Sequence, residues 1–263
     1  MKKLDKNKAR EIFSLYQQQK FFFPLIGAVL LDVQDGVAYA DNPDDPREVY
    51  VEHAFGFSQI FGDVIPEFER KLEEYFFTEG CFPVEKIRLY APVVPSFLNN
   101  DKFDHLKSYR QRFFPSDTPP DFPLLPDTHL SIVNAENVHL VQEYFGVVQR
   151  FWRSVDDFIN ESRAALVLVD GKPAALCYAA AVTGGKAEID SLTLEPFRNR
   201  GLGKIAMRYF YDLCHKDSIV PLCDVFANNL PSMTMCIGMG GERPDPPYTF
   251  FTIPRKKHLE PII

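Results

Sequence analysis

The feature that most constrains this chain is a pair of glycines, one residue apart, where a predicted strand meets a predicted helix. Residues 192–204 read LTLEPFRNRGLGK, and the helical pattern KIAMRYFYDLCHK begins at Lys204. The first amides of a helix have no partners inside the helix, and the helix dipole places partial positive charge there. Because glycines let the backbone approach a ligand closely, this junction predicts a phosphate cradle.

Two other phosphate-binding patterns fit these glycines less well. Residues 201–206 satisfy G-x-G-x-x-A, the dinucleotide fingerprint, but that fold needs a long series of strand–helix units and only 62 residues follow Gly201. A Walker A loop needs four residues between its glycines, and here there is one.

Composition limits the partners and the location of the protein. The 263 residues suffice for one large or two ordinary domains, and the net charge of −7 argues against nucleic acid as a partner. No run of eighteen apolar residues occurs, so no membrane partner is predicted. Five widely spaced cysteines without a CxxC pair indicate no disulfide framework and predict a cytoplasmic location; they are Cys81, Cys177, Cys214, Cys223 and Cys236.

Residues 128–263 have a regular order of predicted elements. The pattern reads β-α-α-β-β-β-α-β-α-β, with a hairpin turn at Asp170-Gly171. Hairpins beside crossover helices predict a mixed, mostly antiparallel sheet with packed helices, an α/β (α+β) fold. We detect no internal sequence repeat.

The first half predicts a smaller α/β domain over residues 1–120. Helical spacing covers residues 6–19 and 65–77, whereas residues 25–33, 47–57 and 86–94 are strand-like. Five prolines between residues 113 and 127 predict an extended connector, and we place the linker at 121–127.

The second half resembles the GNAT superfamily of acyl-CoA-dependent N-acyltransferases. The order of elements matches that fold, and Arg198-x-x-Gly201-x-Gly203 matches its phosphate-loop signature. The segment ANNLPSMTMCIGMGGE resembles a second family motif, with Asn229 and Ser232 in the matching places. The N-terminal half looks like the extension found in one bacterial branch of the superfamily.

The resemblance implies acetyl-CoA as co-substrate, a small amine as acceptor and no metal, and it leaves a homodimer open. It also implies that a strand and the glycine loop hold the pantetheine arm and the pyrophosphate. The residues it places in contact with acetyl-CoA are Ser191, Leu192, Thr193, Arg198, Asn199, Arg200, Gly201, Leu202, Gly203, Lys204, Asn229 and Ser232.

The catalytic groups are less well specified. Neutralising an amine needs a base, and Glu188, Asp190 and Asp224 all lie on strands near the expected gap. Seven residues after Asn229, where many family members carry a tyrosine that acts as an acid, this chain has Cys236, either a proton donor or a packing residue. The predicted function is N-acetyl transfer by direct attack in a ternary complex; the alternative is an acyl-CoA-binding sensor that has lost catalysis.

Overall fold

The computed structural model describes residues 1–79, 82–99 and 104–255. The chain divides into two compact units, Met1–Tyr109 with the chain from Tyr248 onward, and Arg110–Pro247. The predicted domain boundaries at residues 120 and 128 both lie inside the second unit. The division into compact units therefore does not coincide with the proline-rich segment from which we predicted the linker. Cys81 lies outside the described residues.

The first unit contains five strands in sequence order and a sixth from the C-terminal end of the chain. The sheet order is β1-β2-β3-β4-β5-β12. The elements are β1 (Lys2–Lys3), α1 (Lys6–Gln17), α2 (Pro24–Leu30), β2 (Gly36–Ala40), β3 (Glu48–His53), β4 (Phe57–Gly62), α3 (Pro66–Glu73), a π-helical continuation (Glu74–Glu79), β5 (Lys86–Ala91), a 3₁₀ turn (Ser96–Leu98) and β12 (Tyr248–Pro254).

Two predictions for the first unit are wrong. The stretch predicted as a strand over residues 25–33 forms α2, whose seven residues are all buried. A fully buried helix has no polar face, so a short apolar run does not reveal its period, although Pro24 is a favoured first residue. Residues 47–57 are not one strand, because a turn with Gly56 at φ +88° separates β3 from β4.

The second unit follows β6 (Leu106–Phe113), whose residues 110–113 belong to it. Its sheet order is β7-β8-β9-β10-β11-β6, read here from the edge. The elements are β7 (Thr128–Ile132), α4 (Val138–Phe145), α5 (Val148–Phe151), α6 (Val155–Glu161), β8 (Ala165–Val169), β9 (Lys172–Thr183), β10 (Lys186–Thr193), a 3₁₀ turn (Glu195–Phe197), α7 (Leu202–Lys216), β11 (Val220–Phe226) and α8 (Leu230–Gly238). The mixed sheet is confirmed. The predicted order of elements differs in one respect, because three helices rather than two lie between β7 and β8, with α4 ended by Gly146 at φ +62°. The last predicted strand, β12, is present but pairs in the sheet of the first unit.

The two units share one topology that the sequence does not reveal. In each, three antiparallel pairings lead to one parallel pair, β4 with β5 or β10 with β11, and an antiparallel sixth strand closes the sheet. The sixth strands are exchanged along the chain, since β12 joins the first unit and residues 110–113 of β6 join the second. The two units therefore repeat one topology, although the sequence contains no detectable internal repeat.

The core of the second unit forms between α7 and its sheet. The buried face of α7 includes Ala206, Met207, Phe210 and Cys214 and packs with β8, β9 and β10. Side chains of the proline-rich segment pack against the same core, among them Phe122. Across residues 1–79, 82–99 and 104–255, no helix is both long and apolar enough to cross a membrane.

Candidate functional site

The site begins where two parallel strands of the second unit separate. β10 and β11 pair only as far as Glu188 opposite Leu222. Beyond that point β10 stays paired with β9 as far as Thr193, while β11 stays paired with β6 as far as Phe226. The two strands follow different neighbours, so a gap opens between their carboxyl ends.

Backbone groups of β10 face this gap. The amide of Val220 donates to the carbonyl oxygen of Gly185 at 2.9 Å, whereas the amide of Leu194 donates to Ala174 of β9 at 2.9 Å. Because backbone polar groups alternate along a strand, the odd-numbered residues face β11 and the even-numbered ones face β9. The backbone of Ser191 therefore faces the gap, beyond the last paired residue.

The loop from β10 to α7 presents helix amides at the mouth of the gap. Gly201, at φ +79°, lies immediately before the helix, and its carbonyl accepts from the amides of Lys204 at 3.0 Å and Ile205 at 3.3 Å. The amides of Leu202 and Gly203 are in the first turn of the helix, where no carbonyl group of the helix is placed to accept their hydrogen bonds. They add to the positive end of the helix dipole.

Gly203 lies against the floor of the site. A Cβ at this position would lie 3.1 Å from the Oγ1 of Thr193 and 3.3 Å from the Sδ of Met235. Both distances are shorter than ordinary van der Waals contact, so a larger residue would require the side chains of Thr193 and Met235 to move by a few tenths of an ångström. Glycine here keeps the three elements close around the gap.

A cleft of about 860 Å³ occupies this position, within the range of small-molecule sites. It brings together every predicted binding residue except Arg200. The guanidinium of Arg200 instead lies 5.8 Å from the ring centroid of Phe197. The residues lining the cleft are Ser191, Leu192, Thr193, Phe197, Arg198, Asn199, Gly201, Leu202, Gly203, Lys204, Asn229, Leu230, Pro231, Ser232, Thr234 and Met235.

The first turn of α8 forms the opposite wall. Asn229 is the N-cap, and its Oδ1 accepts from the amide of Ser232 at 3.3 Å. Pro231, Thr234 and Met235 were not predicted from the sequence, although they share one helix face at spacings of three and four residues. The proline after an asparagine cap signals this helix start, so the sequence does contain a signal for these positions.

Two basic side chains of the loop are anchored beside the cleft. The Nε of Arg198 donates to the carbonyl oxygen of Thr193 at 3.3 Å. The ammonium of Lys204 lies 5.7 Å from the ring centroid of Phe122 in the proline-rich segment. Both residues line the cleft, so the charge at its mouth is positive although the whole chain is acidic.

Asp190 lies on the part of β10 that has separated from β11. Its Oδ2 accepts from the hydroxyl of Tyr178 at 2.6 Å and from the guanidinium of Arg150 at 3.0 Å. Tyr178 is directly opposite on β9, and burial together with the charge of Asp190 raises the pKa of its hydroxyl. The Asp190 side chain is 28% exposed, so the carboxylate is both oriented and reachable.

Asp224 and Glu188 lie in more enclosed surroundings. Asp224 is opposite Arg112 of β6 and forms a buried ion pair with its guanidinium, at 2.8 Å and 3.0 Å. The side chain of Asp224 is only 1% exposed. Glu188 is also buried, at the last position of β10 that pairs with β11. None of the three carboxylates, Asp190 included, lines the cleft itself.

Cys236 faces the core. Its Sγ lies 3.1 Å from the Sγ of Cys223, and both thiols are buried. The hydrogen bond with Cys236, together with burial, raises the pKa of Cys223. The structure thus brings the predicted binding residues other than Arg200 to one cleft. The predicted catalytic residues lie apart: Asp190 is at the gap, Asp224 is in a buried ion pair, and Glu188 and Cys236 are buried.

Comparison with known proteins decides the family. The model of the GNAT acetyltransferase family matches residues 97–250, more than half of the chain. The chain belongs to the GNAT acetyltransferase family. No curated protein matches its sequence significantly.

Solved GNAT structures share the fold over nearly the whole chain. A GCN5-related N-acetyltransferase-like protein from Streptococcus suis has a TM-score of 0.66 at 15% identity, covering 93% of this chain and 98% of its own. An acetyltransferase from Colwellia psychrerythraea gives 0.60 at 12%, with coverages of 96% and 97%. A tandem GNAT protein from the clavulanic acid biosynthesis pathway gives 0.59 at 11%, with coverages of 96% and 95%.

GNAT acetyltransferases generally use acetyl-CoA, and the cleft suits that molecule. Gly203 lets the helix start lie close to Thr193 and Met235, and the helix amides at this point suit an anionic group. The charge of Arg198 and Lys204 has the sign that a pyrophosphate requires. Within the described ranges, no group of three or more metal-ligating side chains could hold a metal ion.

Proposed function

We propose that this GNAT acetyltransferase transfers the acetyl group of acetyl-CoA to the amine of a small molecule, in a ternary complex. The observation that carries the proposal is the cleft itself, where a phosphate-type helix start meets a gap between two diverging parallel strands. A loop with solvated charges alone would need neither the close packing at Gly203 nor the separation of β10 from β11 after Glu188.

The residues divide into two groups along the bound molecule. The amides of Leu202 and Gly203 would hold the pyrophosphate, with charge from Arg198 and Lys204. The backbone of Ser191 would pair with the pantetheine arm in the place where a strand partner is missing. Acetyl-CoA supplies the acetyl group as a thioester.

Asp190 is the carboxylate that we assign to proton removal from the amine. An amine attacks only in its neutral form, so a base near the gap must take a proton, directly or through water. Asp190 is on the separated part of β10 and partly exposed, whereas Asp224 and Glu188 are buried. Tyr178 and Arg150 fix the direction of the carboxylate.

Backbone amides of residues 191–194 that face the gap are the donors we assign to the acyl oxygen. The buried position of Cys236 supports packing as its role, with the CoA thiolate leaving without this thiol as an acid. Direct transfer requires no nucleophile on the enzyme, which agrees with the buried thiols among the described cysteines.

The test is release of CoA thiol from acetyl-CoA with a panel of polyamines, aminoglycosides and amino acids. For an amine that turns over, Asp190→Asn should lower kcat about 100-fold and leave the affinity for acetyl-CoA within about twofold. Tyr178→Phe is the matched control, since it removes one hydrogen bond to the same carboxylate and should cost less. An unchanged kcat in Asp190→Asn would remove Asp190 from the mechanism.

A second candidate function is an acyl-CoA-binding sensor without catalysis. Two observations favour it: Cys236 is buried in the core, and Asp190 is held by the cation of Arg150. Tight binding of acetyl-CoA without turnover on any amine of the panel would select the sensor. Cytoplasmic location, a homodimer and the boundaries of the functional domains stay predictions from the sequence.

A further inference from the structure

The first unit has a cavity at the position where the second unit has its cleft. β4 and β5 pair in parallel only as far as Gln59 opposite Tyr90, after which they diverge as β10 and β11 do. A cavity of about 190 Å³ lies at the carboxyl ends of these strands. Ligands of α/β sheets commonly bind at such ends.

The loop beside this cavity cannot hold a phosphate group. Residues 62–66, between β4 and α3, read GDVIP, and acidic Glu67 and Glu69 follow in the first turn of α3. Acidic side chains at a helix start oppose an anion. Gly62 serves the turn itself, because a Cβ there would lie 2.0 Å from the carbonyl oxygen of Arg47.

Two buried carboxylates line the cavity. Glu48 is 2% exposed; its Oε2 accepts from the amide of Ile65 at 2.6 Å, and its Oε1 has no hydrogen-bond partner among the described residues. Glu69 is 6% exposed and accepts from the amide and hydroxyl of Ser96. Glu48 therefore presents an unpaired carboxylate oxygen to an enclosed space.

The remaining wall is mostly apolar, formed by Phe21, Phe61 and Ile60 and, after β5, by Pro92, Val93 and Pro95. Gln59 contributes an amide that is already bound, since its Nε2 donates to the carbonyl oxygen of Phe21 at 3.1 Å and its Oε1 accepts from Tyr16 at 2.6 Å. We call this space, with Glu48 and Glu69 at its polar end, the acidic cavity.

We propose that the acidic cavity binds a small organic cation, a primary ammonium on a short aliphatic chain. An ammonium would give the open oxygen of Glu48 a charge-assisted hydrogen bond, while the alkyl chain would lie against Phe21, Phe61 and Ile60. A buried carboxylate pair without a cation is costly, and a cation compensates both charges. This site lies outside the acetyl-CoA cleft, and its occupation does not depend on acetyl transfer.

The ionisation of Glu48 agrees with such a ligand. Burial, which outweighs the hydrogen bond from Ile65, raises the pKa of Glu48 to about 7, with smaller contributions from Glu69, Asp41 and Asp63. Lys20 is the basic side chain that lines the cavity. Since an ammonium favours the ionised form, binding should strengthen as the pH rises through about 7.

The experiment titrates the full-length protein with n-butylamine at pH 8, where the amine is cationic, and follows amide resonances by ¹H–¹⁵N NMR. The amides of Ile65 and Ser96, which donate to the two carboxylates, should shift, with a dissociation constant on the order of 1 mM. Glu48→Gln should weaken binding by about tenfold or more. Butan-1-ol, which is similar in size and neutral, should bind at least about tenfold more weakly.

Glu52→Gln is the matched control, because Glu52 is a buried glutamate on the same strand that hydrogen-bonds Tyr50 and Tyr75 and does not line the acidic cavity. It should bind butylammonium as the wild type does. If Glu48→Gln does not fold, Glu69→Gln provides the same comparison. Equal binding of butan-1-ol, unchanged affinity in the cavity variant, or shifts that miss Ile65 and Ser96 would each overturn the proposal. The measurement contains no acetyl-CoA, so its failure is distinct from failure of the transferase proposal.

Discussion

The two units of this protein have one topology and opposite loop chemistry. After its fourth strand, the second unit has basic residues and glycines that expose helix amides, whereas the first has Gly62, Asp63 and an acidic helix start. The parallel pair diverges in both, which opens a space in both. The shared topology therefore places a space at the same position in both units. In our proposals, the residues of the loop after the fourth strand determine whether that space binds an anionic or a cationic group.

The units also differ in how the exchanged sixth strand is held. In the first unit, β12 places apolar Phe250 and Phe251 opposite Tyr90 and Leu89 of β5. In the second, the corresponding pairing of β11 with β6 contains the buried ion pair of Asp224 with Arg112. Apolar packing thus holds the sixth strand in the first unit, and a buried ion pair contributes in the second. Removing one partner of a buried ion pair is strongly destabilising, because it leaves the other charge uncompensated.

Breaking that ion pair should give the largest effect. Asp224→Ala removes the carboxylate that accepts two hydrogen bonds from the buried guanidinium of Arg112, and we expect the unfolding free energy to fall by about 3–5 kcal/mol in urea denaturation. Asp190→Ala removes a partly exposed carboxylate and should cost about 1 kcal/mol or less. Equal losses for the two variants would show that the Asp224 pair does not secure the exchanged strand.

Reversing the charge of the loop in the second unit should give the next largest effect. Gly203→Asp adds a carboxylate and bulk at the helix start, against Thr193 and Met235, so the affinity for acetyl-CoA measured by calorimetry should fall about 100-fold, or about 2.7 kcal/mol. Gly171→Asp is the matched control, since Gly171 lies in the exposed β8–β9 turn, where an added Cβ would meet no atom within 4 Å. Its φ of +74° disfavours most side chains, but aspartate is among the residues that adopt this conformation most readily. Retained affinity in Gly203→Asp would contradict the assignment of the cleft.

The parts of this site that the sequence predicts are those encoded by neighbours along the chain. Gly201, Gly203 and Asn229 act through the turn or cap in which they lie, so spacing alone identifies them. The partners of the carboxylates depend on strand register instead. Arg112 reaches Asp224 because β6 pairs with β11, a pairing across more than 100 residues that no local pattern encodes.

The structural repeat is hidden for a related reason. A hydrophobic pattern specifies that a segment is buried, and many different sequences satisfy the same pattern. The loops at the corresponding positions of the two units differ in charge, so they share no recognisable motif. The buried α2 illustrates the limit, because an apolar run from Pro24 to Leu30 fits a strand or a helix equally well.

Neutralising Glu48 in the acidic cavity should give the smallest effect, and it should raise the unfolding free energy, which Asp224→Ala lowers. The pKa of Glu48 is raised from 4.5 to about 7 in the fold. Ionisation above about pH 4.5 therefore favours the unfolded chain, and stability is lost as the pH rises through about 7. Glu48→Gln avoids this loss, so it should raise the unfolding free energy by about 2 kcal/mol at pH 8.

The same substitution should give no such gain at pH 4, where the wild-type carboxyl is protonated in the fold and largely protonated in the unfolded chain. Urea denaturation at the two pH values measures the difference, with exposed Glu136→Gln as the control that should change neither. Adding butylammonium at pH 8 should stabilise the wild type and not Glu48→Gln, because only the ionised carboxylate gains from a cation. A destabilised Glu48→Gln at pH 8 would mean that the carboxylate is needed by the fold itself, and the two units would then differ in packing rather than in the charge of the ligand they accept.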